Sequence, residues 1–224
     1  MKTYLYDLHI HTKEASHCGR VPAVEAAKRY KSLGYDGIVI TDHMNFDTFR
    51  RYEGNSYSEK VDRWLSGYRA AKAVETEDFH IILGMEFRAR ENNNDYLVYG
   101  FDEDFVKNND VTGLETIEDF VKIARENNLV VFQAHPFRDG ITVVEPSLLD
   151  GIEIYNGHKD HDSRNDIALL WAEKFNMRKI SGSDFHGNLR GTPGGVRFYE
   201  NPKTSEDLAK MLLSGEYIIA TMEK

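Results

Sequence analysis

Short apolar runs alternate with longer amphipathic stretches along the chain. Tyr4–Ile10 reads as a strand, and 22–33 as a helix with Pro22 in its first turn and Gly34 just past its end. Gly37–Thr41 is a second buried strand, and 58–74 has the spacing of one helix with Ser58 as its N-cap. Strands at 79–87 and 96–101 flank the polar turn Glu91-Asn92-Asn93-Asn94, which suggests a hairpin or an extended excursion. Helix 115–127 and strand 129–134 follow, then strand 151–155, helix 163–175 and strand 178–183. The tail carries an extended piece at 196–199, a helix at 205–213 and a last strand at 217–220. Strands separated by helices of this length indicate βα units and a largely parallel sheet.

With 224 residues and no internal repeat or linker, the chain reads as one α/β domain, with 194–224 as an extension packed on it. Hydrophobic residues make up 41% and charged residues 29%, an ordinary globular balance. The net charge of −9 excludes a globally basic surface for nucleic acid or anionic lipid. One cysteine, Cys18, leaves no intramolecular disulfide. The first residues lack the apolar run of a signal peptide, and no stretch has the roughly 18–20 apolar residues of a membrane span. A cytoplasmic location is therefore expected.

Metal-capable residues recur where the strands stop. His9 and His11 end the first, Asp42 and His43 the second, and Glu86 follows Ile81-Ile82-Leu83-Gly84. His135 follows Val130-Val131-Phe132, and Asp184 and His186 follow Lys179-Ile180-Ser181. In parallel α/β folds the active site lies at the carboxyl ends of strands, so these side chains would converge. Residues two apart on a strand share a face, so His9 and His11 can reach one ion, as can Asp184 and His186. Mixed imidazole and carboxylate suits zinc, iron or manganese rather than calcium. Any one of these residues alone reads more simply as a packed histidine or a loop polar group; their joint placement argues for a metal site.

The ordered set Asp7-Leu8-His9-Ile10-His11-Thr12, Thr41-Asp42-His43, Gly84-Met85-Glu86, Ala134-His135-Pro136 and Gly182-Ser183-Asp184-Phe185-His186 resembles the polymerase and histidinol phosphatase (PHP) family. Gly151-Ile152-Glu153-Ile154-Tyr155-Asn156 is similar to the family's strand before its last motif. The resemblance covers residues 7 to about 187. It implies a distorted (β/α)7 barrel with two or three divalent ions (zinc, manganese or iron) and hydrolysis of phosphoesters. It also implies that His9, His11, Glu86 and Asp184 hold one ion, and that Glu86 bridges to a second ion bound by His135. A third ion would fall to His43, His186 and His17. One departure stands out. Where the family has a further histidine, this chain reads Asn94-Asp95-Tyr96, and Asp95 or a water would fill the place.

Ions in such a site can lower the pKa of a bound water to roughly 7, which supplies a nucleophile at neutral pH. Asp184 or His186 would move protons. Among arginines suited to a phosphate, Arg138 comes first, then Arg190 and Arg197, with Arg20 and Arg88 further out. His80 reads as structural, and His158 and His161 as a solvated loop that could line the pocket. Cys18 reads as a metal ligand or a spectator at least as readily as a nucleophile. The expected partner is a small phosphorylated metabolite or nucleotide; nucleic acid is possible but not favoured, and no membrane is expected. Two competing readings are an amidohydrolase-type barrel and a metal-binding module without catalysis.

Overall fold

The computed structural model describes residues 2–52, 54–187 and 194–221. The chain order opens with β1 (Tyr4–Ile10), α1 (Ala23–Ser32), β2 (Gly37–Ile40), β3 (His43–Met44), α2 (Phe46–Arg50), α3 (Tyr57–Trp64) and α4 (Ser66–Lys72). It continues through β4 (His80–Leu83), β5 (Met85–Phe87), β6 (Tyr96–Tyr99), α5 (Glu103–Asn108), α6 (Ile117–Glu126) and β7 (Val130–Gln133). After a 3-10 turn at Pro146–Leu148 come β8 (Gly151–Asn156), α7 (Asn165–Lys174) and β9 (Arg178–Gly182). The chain closes with β10 (Gly194–Phe198), α8 (Ser205–Ser214) and β11 (Tyr217–Thr221).

The strands form two sheets, ordered β11-β10-β1-β2-β4 and β3-β5-β6-β7-β8-β9. The fold is mixed α/β, as expected, but its ladders are those of two sheets rather than one cylinder. Parallel pairing runs through β1-β2-β4 and β7-β8-β9. The antiparallel strands are β6, which pairs with both β5 and β7, and β10, which pairs with β1 and β11. The expected hairpin is the β5–β6 pair. The expected C-terminal extension is instead part of the first sheet, because β10 sits between β11 and β1.

Side-chain alternation explains how the sheets share an interior. Odd and even strand positions face opposite sides. Tyr6 and Leu8 of β1, Val39 of β2 and Ile82 of β4 point to one core with Leu97, Tyr99, Phe132 and Ile180 of the second sheet. Leu5, Ile38, Ile40 and Ile81 point the other way, onto Ala23, Ala26, Ala27 and Tyr30 of α1. Each fully buried Leu, Ile or Phe adds roughly 1.5–3 kcal/mol. The Tyr99 hydroxyl donates to the Leu8 carbonyl at 2.9 Å and ties the sheets together across this core.

Local sequence sets the ends of elements. Ser56, not Ser58, caps α3 in a reciprocal box with Glu59. The single helix expected over 58–74 is interrupted at Leu65, whose backbone (φ −70°, ψ −10°) is that of a tightened turn. Two register shifts interrupt the ladders, between Asp7 and Ile10 of β1 and between Glu153 and Tyr155 of β8. Such irregularities re-aim side chains, and both fall where polar groups enter an otherwise apolar strand.

Candidate metal centre

β1 delivers His9 and His11, which are 0% and 1% exposed. The Phe185 backbone pairs with both, accepting from His11 N at 3.1 Å and donating to the His9 carbonyl at 3.3 Å. Asp184 and His186 are thereby brought beside the two histidines. Gly182 makes the close approach possible, since a Cβ there would stand 2.4 Å from His9 Cβ. β3 and β5 pair in parallel with His43 opposite Glu86. His135 follows β7. Asp95 precedes β6, yet reaches the same edge because β6 runs antiparallel to β5 and β7.

Glu86 is the centre of the cluster. Its Oε1 lies 3.2 Å from His9 Nε2 and 3.2 Å from His135 Nε2, and its Oε2 lies 2.7 Å from His43 Nδ1 and 3.4 Å from His11 Nε2. Asp184 Oδ1 is 3.4 Å from His9 Nε2 and 3.3 Å from His11 Nε2. Burial alone would raise both carboxyls. The surrounding histidines prevail, with Arg138 adding to the effect on Asp184, and hold each well below the usual carboxylate range.

The outer hydrogen bonds orient the rings. His9 Nδ1 donates to Glu153 Oε1 at 3.0 Å. His11 Nδ1 donates to Ser16 Oγ at 3.2 Å, because that hydroxyl already gives its own proton to Asp42 at 2.6 Å. His186 Nδ1 donates to the Asp184 carbonyl at 2.8 Å. In the neutral form of each ring the proton sits on the outer nitrogen, which leaves the Nε2 lone pair for an ion. The Nε2 atoms of His9 and His11 then face each other at 3.2 Å. Two lone pairs at that distance repel unless a proton or a cation lies between them. The buried donors therefore fit a bound divalent ion, and the outward partners match the supporting shell that metal-binding histidines keep.

Among the described residues, donor atoms gather in four overlapping sets, each within 4.8 Å: His9-Glu86-His135, His9-His11-Asp184, His43-Glu86-Asp95 and His11-Cys18-His43-His186. Two residues of these sets have left-handed backbones, His135 at φ +28° and Asp184 at φ +52°. Non-glycine residues hold such conformations at a cost of about 1–3 kcal/mol, typically where a site requires it. His135 is held there through its N–H, which donates to Glu153 Oε2 at 2.9 Å.

The centre floors a cavity of about 610 Å3. Arg138, Arg88 and Arg20 line it, together with His158 and His161. Arg138 Nη2 donates to Asp184 Oδ2 at 2.7 Å and to Asn156 Oδ1 at 3.1 Å, while its buried Nε has no partner. Arg88 grips both oxygens of Asp95 at 2.7 Å. Burial pushes His158 down to about 4, so it stands neutral beside His186 at neutral pH. His80 lies in β4 and, as read from sequence, takes no part.

Other sequence expectations fare differently. His17 is exposed on the cavity rim and belongs to none of the donor sets; its neighbour Cys18 does. Arg197 is exposed on β10 opposite Leu5, at the far end of β1 from His9 and His11, and does not line the cavity. Arg190 lies outside the described residues. Glu153 was not singled out, although a buried acid inside an apolar strand was a visible signal. It holds His9 Nδ1, His135 N–H and Asn156 Nδ2 together. Glu153→Ala is expected to weaken zinc binding by about 10–100-fold, measured by competition with a chelator of known affinity. Unchanged affinity would mean that Glu153 orients nothing that binds metal.

The PHP domain model matches residues 7–221, and the chain belongs to that family. No curated protein sequence matches it. Among solved structures it is similar to a two-domain protein from Bacteroides vulgatus containing a predicted PHP-like metal-dependent phosphoesterase. There the TM-score is 0.68 at 16% identity, covering 98% of this chain and 65% of that one. A lesion-specific endonuclease from Pyrococcus furiosus superposes with a TM-score of 0.62 at 17% identity, over 97% of this chain and 58% of that one. An amidohydrolase from Chromobacterium violaceum, with bound sulfate, gives 0.53 at 12% identity, over 96% and 97%. This chain thus spans less than two thirds of the first two. Among the described residues, no helix is long and apolar enough to cross a membrane.

Proposed function

We propose that this protein is a metal-dependent phosphoesterase acting on a phosphate ester of a small metabolite or nucleotide. The observation that carries the reading is Glu86, a buried carboxylate with ring nitrogens of His9, His11, His43 and His135 all within 3.4 Å of its oxygens, so that it is within reach of ions held by different histidines. His9, His11, Asp184 and Glu86 would hold one ion, and Glu86 and His135 a second, with Asp95 at hand. Zinc, manganese or iron held there would polarise a phosphoryl oxygen and acidify a water.

The chain's own residues supply the rest. Asp184 accepts from Arg138 and Asn156 through Oδ2 while Oδ1 faces His9 and His11, so it links the anion-binding side of the cavity to the ions. His186, oriented through Nδ1, turns Nε2 toward the cavity beside the ions. Arg138 and Arg20 would receive phosphate oxygens, Arg138 more tightly because it is already ordered. A cavity of about 610 Å3 suits a metabolite or a nucleotide.

The test is a screen of phosphomonoesters and short oligonucleotides with Zn, Mn and Fe, alongside elemental analysis. Turnover of a small phosphomonoester, exceeding that of any oligonucleotide, is expected. The endonuclease among the structural neighbours motivates the oligonucleotide arm, and the amidohydrolase motivates parallel amides and lactones. Fully metallated protein that cleaved only amides or lactones would be an amidohydrolase. Protein that cleaved nothing would be a metal-binding module, and the proposal would fail in both cases.

A further inference from the structure

The family resemblance gives a third ion to His17, His43 and His186, but the local fold turns a different side chain inward. The segment from Thr12 to Val21 is closed by its own backbone. Ser16 N donates to the Thr12 carbonyl, Gly19 N to that of Ser16, and Lys13 N to that of Val21, each at 3.0 Å. Arg20 N donates to the His186 carbonyl, also at 3.0 Å, which pins the segment to the last metal motif. His17 and Cys18 are the two central residues of the turn from Ser16 to Gly19, and their side chains diverge. His17 faces solvent. Cys18 Sγ lies 3.2 Å from His43 Nε2, inside a group whose donor atoms, including those of His11 and His186, fall within 4.8 Å of one another.

The neighbouring rings are already aimed. His43 Nδ1 faces Glu86 Oε2 at 2.7 Å, and its Nε2 lies toward the sulfur. His186 is held through Nδ1 by the Asp184 carbonyl, which leaves its Nε2 free. His11 Nε2 is turned to Asp184 and Glu86 at 3.3 and 3.4 Å and so serves the adjacent cluster. One sulfur and two imidazole nitrogens remain, on the side of the cluster that Cys18, His43 and His186 line in the cavity wall. Three protein donors with a fourth position open is the ligand count of a catalytic rather than a structural zinc site.

We propose that the third metal position of this chain is a thiolate site formed by Cys18, His43 and His186, with His17 outside it. It rests on the metal-dependent reading above. A thiolate favours zinc, cobalt(II) or ferrous iron and disfavours manganese and magnesium, so this position would differ in selectivity from its carboxylate-rich neighbours.

Cys18 is the single cysteine, so thiol chemistry reports on it alone. Metal-stripped protein and protein reloaded with zinc are treated with iodoacetamide, and alkylation is followed by mass spectrometry. Zinc is expected to slow Cys18 alkylation by about tenfold or more, because the nucleophilic lone pair is engaged. Cobalt(II) is expected to give a near-ultraviolet sulfur-to-metal charge-transfer band that Cys18→Ser lacks. Elemental analysis is expected to show one ion fewer in Cys18→Ser and the full complement in His17→Ala.

Equal alkylation rates with and without zinc would overturn the proposal. So would protection without the cobalt band, or a variant pair in which His17→Ala loses the ion that Cys18→Ser keeps. The unmutated protein carries the first two measurements, so a folding defect in a variant does not obscure them. Phosphoester turnover with an unprotected Cys18 would sink this site and leave the proposed function standing. Protection without turnover on any phosphoester would do the reverse.

Discussion

Glu86→Ala is expected to remove two ions from the centre together and to lower phosphoester turnover by more than about a hundredfold, the upper range for losing a mere supporting partner. The reason is geometric. Each Glu86 oxygen faces its own pair of histidines, so no single neighbour can replace both. His9, His11 and His135 would then rely on Asp184 and Asp95, and Asp95 is already gripped by Arg88. Glu86→Gln keeps the volume but loses the charge, and an amide offers one weak acceptor where the carboxylate offers two. It is expected to fall between the wild type and Glu86→Ala. Elemental analysis with steady-state kinetics on the best phosphomonoester decides the matter. A Glu86→Ala protein with its full metal content would remove the basis for the proposed centre.

Stripping the protein of metal is expected to lower its melting temperature by roughly 8–16 °C relative to protein with one tight ion restored. An ion present at about 1,000 times its dissociation constant stabilises the folded state by about 4 kcal/mol. For a chain of this size each kcal/mol corresponds to about 2–4 °C. The sign follows from what metal-free protein must bury. His9, His11, Glu86, His135 and Asp184 are all at most 3% exposed, and the Nε2 atoms of His9 and His11 stand 3.2 Å apart. In unfolded chain the same groups are solvated and separate. Thermal scans over a zinc titration measure the effect. A melting temperature that stays level while elemental analysis shows ions binding would mean that the folded site was not built around them.

Much of this centre was legible from local pattern. Strand periodicity put His9 and His11 on one face, and the run of apolar segments ending in Asp42-His43, Glu86, His135 and Asp184 marked one edge of the fold. The antiparallel course of β6 was harder to read. The turn at 91–94 suggested a hairpin, but only the pairing of β6 with β5 and β7 shows why Asp95, at the start of its strand, reaches the edge where other strands end. Asp42 was visible as a strand-end acid. The structure makes it an anchor for Thr12 and Ser16 rather than a donor to the centre, and burial pushes its carboxyl up to about 6.

By itself the sequence determined the α/β alternation, the family, and the histidines and carboxylates that gather, because each depends on residue order within a few positions. Tertiary structure alone decided the rest. Glu153 orients His9 across 144 residues of chain, and Arg138 meets Asp184 across 46. The strand β10 enters the first sheet beside β1, which draws Arg197 away from the cavity. The turn at 16–19 is pinned by Arg20 N to the distant His186 carbonyl, with Cys18 inward and His17 out. The physical reason is common to all four. Strand period and residue type are local properties, whereas register, strand order and the direction of a turn's side chains are fixed by hydrogen bonds to segments far away in the chain.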